Sequence, residues 1–599
     1  MIYPNLKAPR QTEAHIRTFG GIDKTPACPE NCFSHAQNTS SRRYPLLTTR
    51  LPRLTLAHLN DSPSAIHTTN GITMTVGSRL YHNGILQLDG LDPVGKKHIV
   101  SMGGKNIIFP DGYYINTTDI DQNGLCTDRG YIYPKIYMSD GYIGLFPCVP
   151  EQPMPETGTK PPEEPLDGDY WLDTSVTPNK LMQYSYDTDK WKIVRATHTC
   201  LYFVTGYKPL QVGAPIVISG TDSALDSGEH TVTLTKKNII VVDKPISEYK
   251  VLYIDSTAPV HLYQPLPVMD MVCEQGNRIW GCRYGPDRNG KFVNEIYASA
   301  LGDGGMFYKF EGLSTDSYAA SIGSEGPFTG IISHMGYVVF FKENKLHRLF
   351  GTKPSNFTLY EDSFTGVKRG CEGSLCLCDG VVYYLGIDGF YAYTGSSPAR
   401  ISEELGDIKL TDAIAAFCKS TYTVCADGQD GKRCIYAYHT DRGTWHFHGY
   451  ANLTVLASVD GNALGVHDAI SDYRLCLLDS EDIPPRIVEL YGKGAEKEAP
   501  IEWFAESPYL TVNTLDAKTL RRIQIRLETE ADSRVTLLCK TDNNTQWEEW
   551  GTVTGGQFTS HTLYLSLPRC DKVKIRLEGR GGCTVHGLTK TFEYGGEVI

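Results

Sequence analysis

The chain has no run of about 18 apolar residues, the length a bilayer-spanning helix needs, so a membrane helix is not expected. It has almost no helical periodicity either. The clearest helical candidate is a brief stretch near Leu410 to Phe417. It lacks basic excess: 57 Lys and Arg stand against 69 Asp and Glu, a net charge of -12. A protein that grips DNA phosphates needs clustered Lys and Arg, which argues against a DNA-gripping role while leaving room for DNA to pass by. Catalytic signatures are missing as well. There is no G-x-S-x-G elbow, no H-E-x-x-H and no Walker A loop, and each of those chemistries needs its residues at that spacing. Met1-Ile2-Tyr3-Pro4 runs into polar sequence, so no secretory leader is expected. The 17 cysteines form no repeating framework and suit free thiols in a reducing cytoplasm.

What the 599 residues do contain is turn formers and tyrosine: 58 Gly, 33 Pro and 36 Tyr. Gly and Pro punctuate turns, and Tyr suits a half-buried pleated surface. One phrase returns in changing words, a β-favouring run, a turn and a second run with aromatics. Examples are Arg79-Leu80-Tyr81-His82-Asn83-Gly84, Asn106 to Tyr114, Asn277 to Cys282, Gly336 to Phe341, Gly380 to Leu385 and Arg433 to Tyr438. Hairpins at this density predict an all-β fold with a β-propeller-like body of about six to eight blades.

The expected organisation follows from shifts in composition. Residues 1–48 read as a polar N-terminal arm and 49–148 as the first propeller blades. Residues 149–200 hold a Pro-rich linker, with Pro150, Pro153, Pro155, Pro161, Pro162 and Pro165, followed by an aromatic hairpin. Residues 201–250 read as a small β-barrel or sandwich insertion, 251–485 as the remaining blades, and 486–599 as a C-terminal β-sandwich. In that last segment Ile523 to Glu528 and Val573 to Glu578 alternate apolar and polar, the pattern of half-buried strands. Insertions from propeller loops cost little, because closure entropy grows slowly with loop length.

Few residues stand out as chemistry. Trp171, Tyr184 and Trp191 fall where cross-strand pairing would bring them onto one face of the hairpin. They are candidate surface contacts able to stack on a sugar, or a small cluster stapling the insertion. Cys28 and Cys32 with His35 nearby could be half a zinc site, but no second pair stands at zinc-ribbon spacing and loop thiols are the plainer reading. Cys376 and Cys378 would share one strand face. His446 and His448 could put two imidazoles on one face, most simply a partly exposed strand edge. No catalytic residue, metal ligand or cofactor is expected, and no enzymatic activity. A carboxylate pair assembled from separate blades would be invisible at this level.

Several of these phrases carry a resemblance. Gly276 to Cys282, followed by Asn294 to Asp303, resembles a phrase of bacteriophage tail proteins, as do Phe340 to Gly351 and Gly370-Cys371 to Gly389-Phe390-Tyr391-Ala392-Tyr393. The family is the tail nozzle, also called tail hub or packaged-DNA stabilisation protein, of short-tailed phages. Pro568 to Gly579 resembles the last domain of related proteins in phages of Gram-positive gut bacteria, and Gly168 to Thr174 a phrase of tail and fibre proteins. The resemblance runs with fair continuity over 255–595 and in pieces before that. It implies a propeller body with inserted domains, and a homo-oligomeric ring of six at the distal end of the tail. It also implies a closed central channel through which genomic DNA passes without sequence-specific binding. Portal or adaptor proteins and tail fibre or tail spike proteins would be its neighbours. The protein would be made in the bacterial cytoplasm and carried in the virion. The alternative is a tail component that binds a receptor or glycan on the host cell surface.

Overall fold

The computed structural model describes residues 10–594 without 59–62, 133–135, 139–140, 147–154, 178, 195–197, 204–209, 221–228, 237–238, 244–251, 255–259, 419, 461–471, 481–482, 490–498, 512–516, 543, 557 and 566. Among the described residues the chain is all β, with single turns of 3-10 helix such as Pro354–Asn356 and Glu403–Leu405.

Seven four-stranded antiparallel sheets make the body. Blade 1 begins with Pro63–His67, blade 2 with His98–Met102, blade 3 with Met271–Glu274 and blade 4 with Gly330–His334. Blades 5, 6 and 7 begin with Cys376–Cys378, Thr411–Cys418 and Leu453–Asp460. These first strands touch their neighbours from blade 1 to blade 4 and from blade 5 to blade 7, and that of blade 7 touches that of blade 1. Between blades 4 and 5 the contact is apolar, Val339 and Phe341 against Val382, Tyr384 and Tyr393. The sheets therefore close into a seven-bladed β-propeller. Blade 7 takes its fourth strand from the other end of the chain: Leu54–His58 pairs antiparallel with Ile483–Glu489, Ala57 opposite Ile487. This strand completes blade 7 and ties residues before blade 1 to the last blade of the ring.

In blades 3, 4 and 5 the recurring phrase is the link between the first and second strands, whereas Arg79 to Gly84 and Arg433 to Tyr438 fall on third strands and Asn106 to Tyr114 on the turn from the second strand to the third. At Met335-Gly336 in blade 4 and Asp379-Gly380 in blade 5 both turn residues have positive φ, the two-residue hairpin whose twist matches that of the strands. The strand that follows is the most buried of its blade, as in Tyr337–Lys342, whose six residues are all buried.

Three expectations meet a different arrangement. Thr411–Cys418 is not a helix but the first strand of blade 6. Ala413 and Ala416 are buried there, where neighbouring blades crowd together and small side chains pack. The insertion is a single unit running from Ile136–Met138 to Val260–Tyr263, strands that pair with each other, so Ile136–Met138 and Gly141–Phe146 belong to it and not to the early blades. The aromatic hairpin is nested inside that unit, between Gly141–Phe146 and His198–Phe203, which also pair. The arm is not separate: His35–Gln37 joins one sheet of the C-terminal sandwich, and Arg10–Ile16, Thr39–Ser40 and Leu47–Thr49 join the other. An open sheet edge is a liability, and these strands cover it.

The C-terminal sandwich packs a five-stranded sheet on a six-stranded one. Ile523, Ile525 and Leu527 alternate with Gln524, Arg526 and Glu528 as the sequence pattern implies, the apolar set buried. Its interior is continuous with that of blades 5 and 6 through Phe19, Ile22, Phe33 and Ala36 of the arm, which meet Phe390, Tyr422 and Trp445.

Candidate functional site

The hairpin module is a four-stranded sheet of Glu156–Gly158, Tyr170–Asp173, Lys180–Ser185 and Lys190–Ile193. Its register sets Trp171 opposite Met182, Met182 opposite Ile193 and Tyr184 opposite Trp191. Period-two alternation then sends these five side chains to one face. The three aromatics meet there. The Trp171 and Trp191 rings lie 5.6 Å apart, edge to face at 67°, and those of Tyr184 and Trp191 5.4 Å apart at 55°, within the range of favourable ring pairs.

The three are not equivalent. Trp171 is 6% exposed, and its indole N–H donates to the Gly158 carbonyl at 3.1 Å. It is the brace of the module and not a contact surface. The strand that buries it, Glu156–Gly158, pairs parallel with Tyr170–Asp173 and comes from the Pro-rich stretch expected to be a linker. Tyr184 and Trp191 are half-buried, and Ile193 beside them is 62% exposed. The Tyr184 hydroxyl donates to the Asp189 carboxylate at 2.5 Å, which fixes the ring and raises its pKa. Asp189 holds its place in a left-handed conformation at the end of a 3-10 turn. The surface is a small aromatic platform with a carboxylate at its rim, the combination that can stack on a sugar ring and accept from its hydroxyls.

Other candidates resolve differently. Cys28 and Cys32 are half-buried free thiols, and His35 lies 3.8 Å from Glu506. Among the described residues no group of three or more His, Cys, Asp and Glu is placed to hold a metal. Cys378 is buried and Cys376 half-buried on the first strand of blade 5. His446 and His448 are not on an exposed edge: they are 0% and 3% exposed, beneath residues 39–41 of the arm. Sequence spacing gave no sign of that cover, which comes from about 400 positions away.

Sequence reasoning missed a groove of about 540 Å³ between the end of the arm and the C-terminal sandwich. Arg42, Arg43 and Arg50 line it together with Glu528, Glu530 and Asp532. The two signs balance, and Arg43 lies 3.6 Å from Glu528, so the groove is no anion trap. No helix of the described residues is long and apolar enough to cross a membrane.

No protein-family model matches the chain, and no curated protein matches it in sequence. Solved structures similar to it include a glycoside hydrolase family 43 arabinoxylan arabinofuranohydrolase from Bacillus subtilis. That match has 10% identity and a TM-score of 0.20, and covers 55% of this chain and 95% of that one. An exo-beta-1,3-galactanase from Phanerochaete chrysosporium has 7% identity and a TM-score of 0.18, covering 53% and 94%. The phage phi92 endosialidase has 10% identity and a TM-score of 0.26, covering 80% and 75%. These are glycoside hydrolases and an endosialidase, and on that finding the expectation that the chain is not an enzyme is withdrawn. Likeness at this level assigns no activity to this chain.

Proposed function

We propose that the chain is a bacteriophage tail component that contacts glycan on the host surface through the Tyr184–Trp191 platform of its nested module. The observation that carries this reading is the placement of that platform. Two successive insertions, each leaving and re-entering through paired neighbouring strands, carry a half-exposed aromatic pair on a rigid base. Trp171 braces the pair from within. A contact held away from the body by paired strands loses little order on binding. Trp191→Ala and Tyr184→Ala particles should assemble normally and lose most of their adsorption to host cells, while Lys190→Ala, on the opposite face, should adsorb as the parent does. Unchanged adsorption of both aromatic variants would remove the reading. Product release from host wall or capsule polysaccharide by the purified protein would add cleavage to contact.

A second reading is the tail nozzle, a ring of six copies around passing genomic DNA, joined to portal or adaptor and to tail fibre or spike proteins. It is favoured by where the family-like phrases fall: Gly276 to Asp303, Phe340 to Gly351 and Gly370 to Tyr393 make up much of blades 3, 4 and 5. Heterologous contacts between copies close into rings, and a net charge of -12 per copy disfavours DNA adhesion. Images of the purified protein should then show six-fold rings with a central hole. A strict monomer at high concentration, absent from virions, would defeat it.

A further inference from the structure

The five-stranded sheet of the sandwich carries a groove of about 490 Å³ on the face turned away from the other sheet, a volume usual for small-ligand sites. Its strands run in the order His35–Gln37, Glu502–Glu506, Val573–Arg580, Arg534–Thr541 and Glu548–Thr554. Trp503, Ala505, Leu577 and Val535 are buried in the sandwich, so period-two alternation sends the residues between them outward. Register sets these in a row across all five strands. Gln37 is opposite Phe504, Phe504 opposite Glu578, Glu578 opposite Thr536 and Thr536 opposite Thr552. On one side of this row Arg576 is opposite Leu538 and Leu538 opposite Glu549. On the other, Glu502 is opposite Arg580 and Arg580 opposite Arg534.

Arg576 stands at the centre. Its guanidinium lies 4.2 Å from the Phe504 ring centre and 5.9 Å from that of Trp547, and its Nε is 3.1 Å from the Glu578 carboxylate. Glu549 accepts from the Thr552 hydroxyl at 2.7 Å and lies 3.8 Å from Arg534, and the Thr536 and Thr552 hydroxyls meet at 3.2 Å. Arg534, Arg576 and Arg580 face Glu502, Glu549 and Glu578 in the lining. The charges balance, so the groove does not select an anion. Nor does it offer an apolar side chain the anchor pocket that protein contacts centre on, because Arg576 covers a face of Phe504. A guanidinium carries five donors and a carboxylate about four acceptor sites, and here both kinds alternate with hydroxyls. That surface matches a ligand dense in hydroxyls, each of which donates and accepts.

We propose that this groove is a carbohydrate site, separate from the Tyr184–Trp191 platform, that takes a neutral oligosaccharide laid across the strands. Arg534, Arg576, Glu549 and Glu578 would share its hydroxyls. The row has a direction, perpendicular to the strands, which suits a chain of sugars better than a single ring. Its members sit on paired strands and brace one another, so binding orders little that is not ordered already. The assignment goes beyond the platform reading and does not depend on it.

A printed array of neutral and acidic oligosaccharides tests this on the full chain carrying Tyr184→Ala and Trp191→Ala, in which the platform takes no part. That protein should bind neutral oligosaccharides, and as well at high salt as at low salt. Adding Arg576→Gln should weaken the binding about tenfold or more, the usual worth of hydrogen bonds from a charged donor. Should that variant not fold, Arg534→Gln with Glu549→Gln decides the matter. Those side chains are 59% and 54% exposed on the rim, and their loss should weaken binding several-fold. Binding of acidic oligosaccharides alone overturns the assignment, and so does binding indifferent to all these substitutions. Binding by the parent that the Tyr184→Ala, Trp191→Ala protein lacks overturns the groove and leaves the platform standing, whereas binding by neither overturns both.

Discussion

The backbone N–H of Ile22 donates to the carbonyl of Trp445 at 2.8 Å, and this bond fixes the arm to blade 6 at a second point. Gly21, one residue earlier, lies so close that an added Cβ would collide with the Trp445 carbonyl oxygen and stand 3.0 Å from its nitrogen. Both are backbone atoms of a paired strand, which cannot give way as a side-chain tip can. Gly21→Ala should therefore cost about 1–3 kcal/mol, the usual range for overpacking. A lower denaturation midpoint with an unchanged denaturant slope would report it, and an unchanged midpoint would show that the arm moves aside freely.

Arg278 is 2% exposed and ties down a long loop of blade 3. Its guanidinium donates to the carbonyls of Ser299 at 2.7 Å, Asp316 at 2.5 Å and Ser314 at 2.8 Å. Arg278→Met would keep the stem and leave three acceptors unmet, a loss of about 3 kcal/mol or more. Arg278→Lys, a point donor without the planar fork, should fall between. Chemical denaturation of the three proteins orders them, and equal stability of Met and Arg would refute the role.

How far the sequence foretold all this depends on the range of the contact involved. The blades were legible because each is built from hairpins, and a turn such as Asp379-Gly380 between two β-favouring runs is a local signal. The sandwich was legible for the same reason, Ile523 to Glu528 alternating along one strand. The pairing of Leu54–His58 with Ile483–Glu489 was not, since nothing near either segment names the other. Thr411–Cys418 misled because alanine favours a helix in isolation, whereas the burial of Ala413 and Ala416 inside the ring decided the matter. At the platform the cross-strand neighbours Tyr184 and Trp191 could be read from spacing. The depth of Trp171 could not, because it depends on Glu156–Gly158, a strand hidden in a proline-rich stretch.

The thiols carry a prediction of their own. Cys28 and Cys32 are half-buried, and burial first, then the nearby Asp23 charge, pushes them to about 12 and about 11. Burial raises Cys434, Cys539 and Cys583 to about 12 as well. The thiolate is the reactive form, and at pH 8 a group at 11 is ionised to only about 0.1%, against roughly a quarter for an ordinary thiol. Native protein should therefore react slowly with a disulfide reagent at pH 8 and quickly once denatured. Rapid native labelling of Cys28 or Cys32 would contradict the burial described for that loop.

His347 gives a pH dependence that can be assigned to one residue. It is 1% exposed in blade 4, its Nε2 2.8 Å from the Ser324 hydroxyl and its Nδ1 3.8 Å from Glu361. Burial lowers it from 6.5 to about 4 against the opposing pull of Glu361. Above pH 6.5 neither the folded nor the unfolded chain protonates this ring, so the stability it permits is fully present. As pH falls from 6.5 toward 4 the unfolded chain takes up the proton first and the fold loses ground, by about 3 kcal/mol at the end of the window. His347→Gln cannot titrate, so its stability should fall less steeply over that window, while every other buried histidine contributes equally to both proteins. Denaturation of the pair at pH 7 and pH 4.5 isolates the difference, and parallel losses would mean that His347 titrates in the folded protein as it does in the unfolded chain.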